Sequence, residues 1–312
     1  MKTCTFLFKS GLVFACLSLF TFTACIDDFD GGGPKSKKVK TLFGADFPAN
    51  DGLHVNDNGT VFASNFGKFD TVIQKYSGTK VFKIKRNGSI SVKASGFEAP
   101  MGGVQDSKGN FYFNNENNND AVSGVLVKIA PDGTSSELGE IAGWPSGLAI
   151  DDNDEIYVAN FFASTMHKVS PDGTISLFVT DDRLFGCVGI DIDKDGNIIT
   201  ANFFNADILK ITPQGEVSVI TRIPDTTTNF AIGYMTVLDD YIYATGISEN
   251  VIYKVSFDGT SEIFAGTGEN STTDGLLDEA TFSQPNGIAA DKKRKILYIS
   301  QFGEPGLRMI QL

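Results

Sequence analysis

The chain has 312 residues, 41% of them apolar and 11% aromatic, with Phe alone occurring 26 times, so it is long enough to bury a core without staples. A formal charge of -12 speaks against a nucleic-acid partner, which would call for a basic stripe. Of the four cysteines, Cys4, Cys16 and Cys25 lie at the N-terminus and only Cys187 falls in the body of the chain, so no disulfide framework is available.

At the start of the chain, Lys2 and Lys9 precede an apolar run from Gly11 to Phe22, the pattern of a secretory signal peptide and too short for a membrane span. The run closes on Phe22-Thr23-Ala24-Cys25, which resembles the lipobox of bacterial lipoproteins. That resemblance implies cleavage before Cys25 and acylation of its thiol, dividing the chain into a signal peptide (1–24), a lipidated tether (25–36) and a folded domain (37–312). Acyl chains on Cys25 would be the only membrane attachment, and the mature charge would stand near -14. The expected location is the cell envelope, on an outer membrane, facing the periplasm or the cell surface. Asp27, Asp28 and Asp30, followed by Gly31-Gly32-Gly33-Pro34, are similar to the surface-export signal of some Bacteroidetes-type lipoproteins and read equally as a solvated, flexible linker.

Beyond the tether a repeat organises everything. One half reads Phe82-Lys83-Ile84-Lys85-Arg86-Asn87-Gly88 and returns as Val127 to Gly133, His167 to Gly173, Leu209 to Gly215 and Tyr253 to Gly259, with the closing glycines 45, 40, 42 and 44 residues apart. Each copy alternates apolar and polar residues into a turn where glycine supplies a positive φ, and a further alternating run follows. The other half is a second hairpin, as in Gly147-Leu148-Ala149-Ile150-Asp151 and Glu155 to Asn160. Four strands per repeat without helical periodicity predict an all-β, six-bladed β-propeller, its inner strands opening near Gly52, Gly102, Gly147, Gly189, Gly233 and Gly287. The sixth blade ends at Leu312 one strand short, and the N-terminal segment Lys38 to Phe43 is expected to supply that strand and remove an open edge.

The sixth blade carries Ala265-Gly266-Thr267-Gly268, Asp274-Gly275, Asp278 to Phe282 and Gln284-Pro285-Asn286-Gly287-Ile288-Ala289, which resemble an NHL repeat. The remaining blades are similar to the wider superfamily of gluconolactonase, senescence marker protein and virginiamycin B lyase. The resemblance runs from about Val39 to the end and implies the propeller fold more strongly than any one activity.

Two columns of residues converge on one mouth of the expected channel. The residue before each opening glycine is Asp51, Met101, Ser146, Val188, Ile232 or Asn286, and the residue ending each second strand is Asn65, Asn115, Asn160, Asn202, Gly246 or Gln301. In the lactonases that the chain resembles, the first column supplies a Glu, an Asn and an Asp to a divalent cation. Asp51 and Asn286 fall on such positions, whereas Val188 and Ile232 offer no donor. No cofactor is expected unless those two residues hold a divalent cation. The lyase chemistry needs histidines at the channel, and the only two, His54 and His167, lie inside predicted strands away from the first column. No Ser/His/Asp set can be assembled at blade-equivalent positions.

The second column is richer. Four asparagines and a glutamine recur there, several followed by phenylalanine: Asn65-Phe66, Asn160-Phe161-Phe162, Asn202-Phe203-Phe204 and Gln301-Phe302. Amides beside aromatic faces suit a neutral polar ligand, and Asn65, Asn115, Asn160, Asn202, Gln301, Phe161 and Phe203 are the expected binding residues. The same amides also suit strand ends, where they bond nearby backbone. The run Asp191 to Asn197 imitates a calcium loop but lacks Glu at the twelfth position and reads as a hairpin turn. Asn114 to Asp120 reads as a long polar loop, and Trp144 as a core residue at a blade junction.

The leading expectation is an anchored binding module for a carbohydrate, peptide or envelope protein. The alternatives are a metal-dependent hydrolase of sugar lactones or related esters and a purely structural envelope component. Catalysis from longer loops, such as Lys68 to Lys80, is also open.

Overall fold

Alternating apolar residues between glycine-bearing turns make almost every element an antiparallel strand, and a single 3-10 turn at Asp182–Leu184 is the only helical element among the described residues. The computed structural model describes residues 37–72, 74–115, 123–223 and 230–312. The expected signal peptide, Cys25 and the tether lie outside the described residues, as does most of the polar run after Asn115.

Six sheets form six blades, each a meander with its first strand innermost. Blade three runs outward through Pro145–Ile150, Ile156–Asn160, Thr165–Val169 and Ile175–Thr180. The other inner strands are Leu53–Val55, Met101–Gln105, Cys187–Ile192, Ile232–Leu238 and Pro285–Asp291, all beginning within two residues of the expected glycines. Each inner strand packs on those of the blades before and after it, and Pro285–Asp291 meets Leu53–Val55 to close the ring.

Closure uses the N-terminal strand as expected: Lys38–Phe43 pairs with Leu307–Gln311, Val39 opposite Ile310 and Thr41 opposite Arg308. The repeat does not announce a fifth strand of this sheet, Gly275–Leu276, which pairs outside Lys38–Phe43. It is held by the Asp274 carboxylate, which accepts from the Thr41 N–H (3.0 Å) and hydroxyl (2.7 Å) and from the fully buried Arg308 (3.0 Å). A second addition is the short hairpin Phe69–Asp70 with Lys75–Tyr76 in the loop after blade one's second strand.

The opening glycines let the blades meet. A Cβ on Gly147 would lie 2.2 Å from the Val188 carbonyl oxygen, and one on Gly287 would lie 2.2 Å from the Asp51 carbonyl oxygen. At Gly102 the limit is conformational as well, since its φ is +60°. Side chains stitch across the same level. Ser64 donates to the Gly102 carbonyl (2.7 Å), Asn114 to Ser146 (2.8 Å), Thr245 to Asn286 (2.7 Å) and Ser300 to Asp51 (2.7 Å). All four donors are fully buried, so each bond replaces water that the carbonyl has lost.

Candidate functional site

The first column is a plug. Asp51, Met101, Ser146, Val188, Ile232 and Asn286 are all buried. Tyr234, next to the opening glycine of blade five, reaches past blade six and donates its hydroxyl to Asp51 Oδ1 at 2.8 Å. Asp51 also accepts from the Gly102 N–H (3.3 Å) and from Asn286 Nδ2 (3.3 Å), and Asn286 donates to the Asn50 carbonyl at 2.9 Å. Burial pushes the Asp51 carboxyl above its ordinary value, against the lowering by these donors. Burial and the Asp51 charge push the Tyr234 phenol far up, so it stays a donor.

Asp51 and Asn286 do come together, 3.3 Å apart. Asn286 turns its amide nitrogen, not its oxygen, toward the carboxylate, and blades four and five contribute Val188 and Ile232 at this level. Among the described residues no group of three or more His, Cys, Asp or Glu is placed to hold a metal ion.

The second column bonds to the backbone around it. Each amide clips the end of its strand onto the segment that leads into the same blade's inner strand. Asn65 donates to the Pro48 carbonyl (2.7 Å), and Asn115 accepts from the Glu98 N–H (2.8 Å). Asn160 accepts from the Trp144 N–H (3.0 Å) and donates to the Ala142 carbonyl. Asn202 accepts from the N–H groups of Phe204 (2.9 Å) and Asn205 (3.2 Å) and donates to the Phe185 carbonyl (2.7 Å). Gln301 accepts from the Ser283 N–H (3.1 Å) and donates to the Glu304 carbonyl (3.0 Å). Asn115, Asn160, Asn202 and Gln301 are buried, and their amides are engaged in these backbone bonds.

The phenylalanines after those amides close the mouth. Phe161 and the half-buried Phe203 pack in one cluster with Val188 and Tyr234, while Phe66, Trp144 and Phe302 pack on Met101. Above them runs an unbroken series of ring contacts from blade one to blade five. Phe69 meets Tyr76 (5.2 Å between centroids), Tyr76 meets Trp144 (6.2 Å), and Trp144 stacks on Phe162 (5.3 Å, 9° between planes). Phe162 continues to Phe185 (6.3 Å), Phe185 stacks on Phe204 (5.9 Å), Phe204 meets Phe203 (5.5 Å), and Phe203 meets Phe230 (5.1 Å). Phe162, Phe185 and Phe230 are 39%, 45% and 58% exposed, which makes the strip a surface and not core. Trp144 belongs to it, half-buried, with an indole N–H that has no hydrogen-bond partner.

Both histidines stay away from this mouth. His167 sits in a third strand opposite Val158 and Leu177, lowered in pKa by burial. His54 lines a cavity at the other end of the axis. The calcium-like run is a turn, with Asp193 Oδ1 accepting from the N–H groups of Asp195 (2.9 Å) and Asn197 (2.8 Å).

Taken together, the geometry is that of a six-bladed β-propeller with a sealed channel and an aromatic outer face. No family model and no curated protein matches the chain. Among solved structures it is similar to an auxiliary nutrient binding protein from Bacteroides thetaiotaomicron, with a TM-score of 0.69 at 15% identity over 88% of this chain and 76% of that one. It is also similar to a gluconolactonase from Xanthomonas campestris (TM-score 0.64, 13% identity, 88% and 89% covered). A catalytically inactive virginiamycin B lyase from Staphylococcus aureus with quinupristin superposes with a TM-score of 0.61 at 17% identity, covering 88% and 99%. At these identities the likeness is one of fold.

Proposed function

We propose that this chain is an exported, lipid-anchored binding propeller that holds a neutral polar ligand with an apolar face, a carbohydrate foremost, on the aromatic strip above blades three and four. The observation that carries the reading is the exposure of Phe162, Phe185 and Phe230 in one connected series of rings. Sugar rings present C–H faces that stack on such surfaces. A nutrient-binding neighbour in the same fold agrees with this reading. Lipidation at Cys25 rests on the lipobox-like sequence alone.

The hydrolase reading is favoured by one observation, the 3.3 Å approach of Asn286 to Asp51, and by the gluconolactonase neighbour. Against it stands the plug, which leaves neither a cation's donor set nor a path for substrate. Glycan-array binding separates the two. The strip predicts glycan capture that falls at least about ten-fold in Phe162→Ala/Phe185→Ala, each exposed stacking ring being worth roughly 1 kcal/mol. A stabilising shift with calcium, magnesium, manganese or zinc that disappears in Asp51→Asn would instead establish the metal site and overturn the proposal.

A further inference from the structure

At the end of the axis opposite the aromatic strip, the inner strands enclose a cavity of about 650 Å³. Its floor is one apolar side chain from each blade, Leu53, Val104, Leu148, Ile190, Met235 and Ile288, one or two positions beyond the opening glycines. The plug of Tyr234 on Asp51 lies behind that floor, so the cavity is a blind funnel. Two polar groups sit on the walls above it. His54 accepts the Gln105 N–H on Nε2 (3.2 Å), which leaves Nδ1 as the protonated nitrogen, with no partner among the described residues. Burial holds its pKa down at about 4, so at neutral pH it is an uncharged donor. Across the funnel, Asp191 accepts from the Thr236 hydroxyl (2.8 Å) and the Val237 N–H (2.7 Å).

The mouth is strongly negative: seven aspartates line it against two lysines. Lys293 pairs with Asp57 (2.8 Å) and Arg294 with Asp291 (2.8 Å). Among the described residues no lysine or arginine pairs with Asp106, Asp151, Asp152 or Asp154. Turn geometry explains why aspartate stands at several of these positions, since Asp106 and Asp151 accept two backbone N–H groups each. It does not neutralise them, and Ser107 holds the Asp154 carboxyl below its ordinary range, still ionised. Low-dielectric walls focus such a field into the funnel. An ammonium is already bound at the rim: Lys292 of blade six reaches across to Asp191 Oδ1 (3.1 Å) and the Ile192 carbonyl (3.5 Å) in blade four, with its side chain half exposed.

We infer that this funnel is a second binding site, for a small organic cation with an apolar body, such as an aliphatic amine. The apolar body fills the apolar floor, and the cationic end meets those carboxylates of blades two and three that no lysine or arginine pairs directly among the described residues. The Lys292 ammonium competes for the same rim as a tethered internal cation. The site is independent of the aromatic strip, because the plug separates the two mouths.

Calorimetric titration of the full chain in non-ionic detergent tests this with three probes of equal length: hexylamine, hexan-1-ol and hexanoate. Hexylamine should bind saturably at one site, hexan-1-ol at least about ten-fold more weakly, and hexanoate not at all. Asp151→Asn/Asp154→Asn, which keeps the turn acceptors, should weaken hexylamine roughly five-fold, and Lys292→Ala should tighten it by a similar factor. Phe162→Ala/Phe185→Ala should leave hexylamine binding unchanged while it weakens glycan binding at least about ten-fold, so the two sites fail separately. Equal binding of all three probes, no saturation by about 10 mM hexylamine, or indifference to both charge variants in proteins with native circular dichroism would overturn the inference.

Discussion

Tyr234→Phe removes a single hydroxyl from the centre of the ring and tests the plug directly. The ring itself stays, packed where a Cβ on Gly52 would come within 3.0 Å of Tyr234 Cε1, so little apolar contact is lost. What goes is a 2.8 Å hydrogen bond to a buried carboxylate, an interaction worth about 1.5–3 kcal/mol. The deficit should depend on pH with a definite sign. Because burial raises the native pKa of Asp51 above 3.8, the stability contributed by this group is fully present below the unfolded value and is lost as pH rises through the native one. Without the Tyr234 donor the native value rises further, so the variant falls behind the parent more at high pH than at low. Urea unfolding followed through Trp144 fluorescence, at about pH 5.5 and about pH 8.5, reads the difference while avoiding the low solubility near the pI of 4.6. Expected is a loss of about 2 kcal/mol at the higher pH and no larger loss at the lower one. A larger loss at the lower pH, or none at either, would refute the argument that Tyr234 stabilises an ionised Asp51.

Gly147→Ala places a methyl 2.2 Å from the Val188 carbonyl oxygen and should cost more than about 2 kcal/mol, visible as a lowered urea midpoint with unchanged slope. Asn202→Ala strands the N–H groups of Phe204 and Asn205 and the Phe185 carbonyl, and should cost about 2 kcal/mol. Asn65→Ala, which gives up one exposed bond to Pro48, should cost less than about 1 kcal/mol in the same denaturation assay. Cys187 is buried and its thiol is pushed up to about 12, so iodoacetamide at mildly alkaline pH should leave the native protein unmodified and label it only as fast as it unfolds.

Much of the architecture is written locally. Each blade announces itself through alternation and a glycine turn, and the strand Lys38–Phe43 is identifiable because the last blade lacks a partner for Leu307–Gln311. The fifth strand Gly275–Leu276 escapes that reading: it is two residues long and depends on Asp274 meeting Thr41 and Arg308. The column of strand-end amides is visible as a pattern, yet its role is not. Its partners are backbone atoms of Pro48, Glu98, Trp144, Phe185 and Ser283, which carry no side-chain signature. The aromatic strip is half legible. Phe161, Phe162, Phe203 and Phe204 follow the amides in sequence, whereas Trp144, Phe185 and Phe230 arrive on the connecting segments.

Sequence alone determined the number of blades, their boundaries and the closing strand, because alternation and turn chemistry act between near neighbours and repeat. It also brought Asp51 and Asn286 to one end of the axis. Whether that end is open was decided only by the assembled ring. Tyr234 lies 183 positions from Asp51 and looks, in its own strand, like any other alternating aromatic. Its hydroxyl meets the carboxylate because the inner strands, brought close over their opening glycines, carry Tyr234 to Asp51 across the intervening blade.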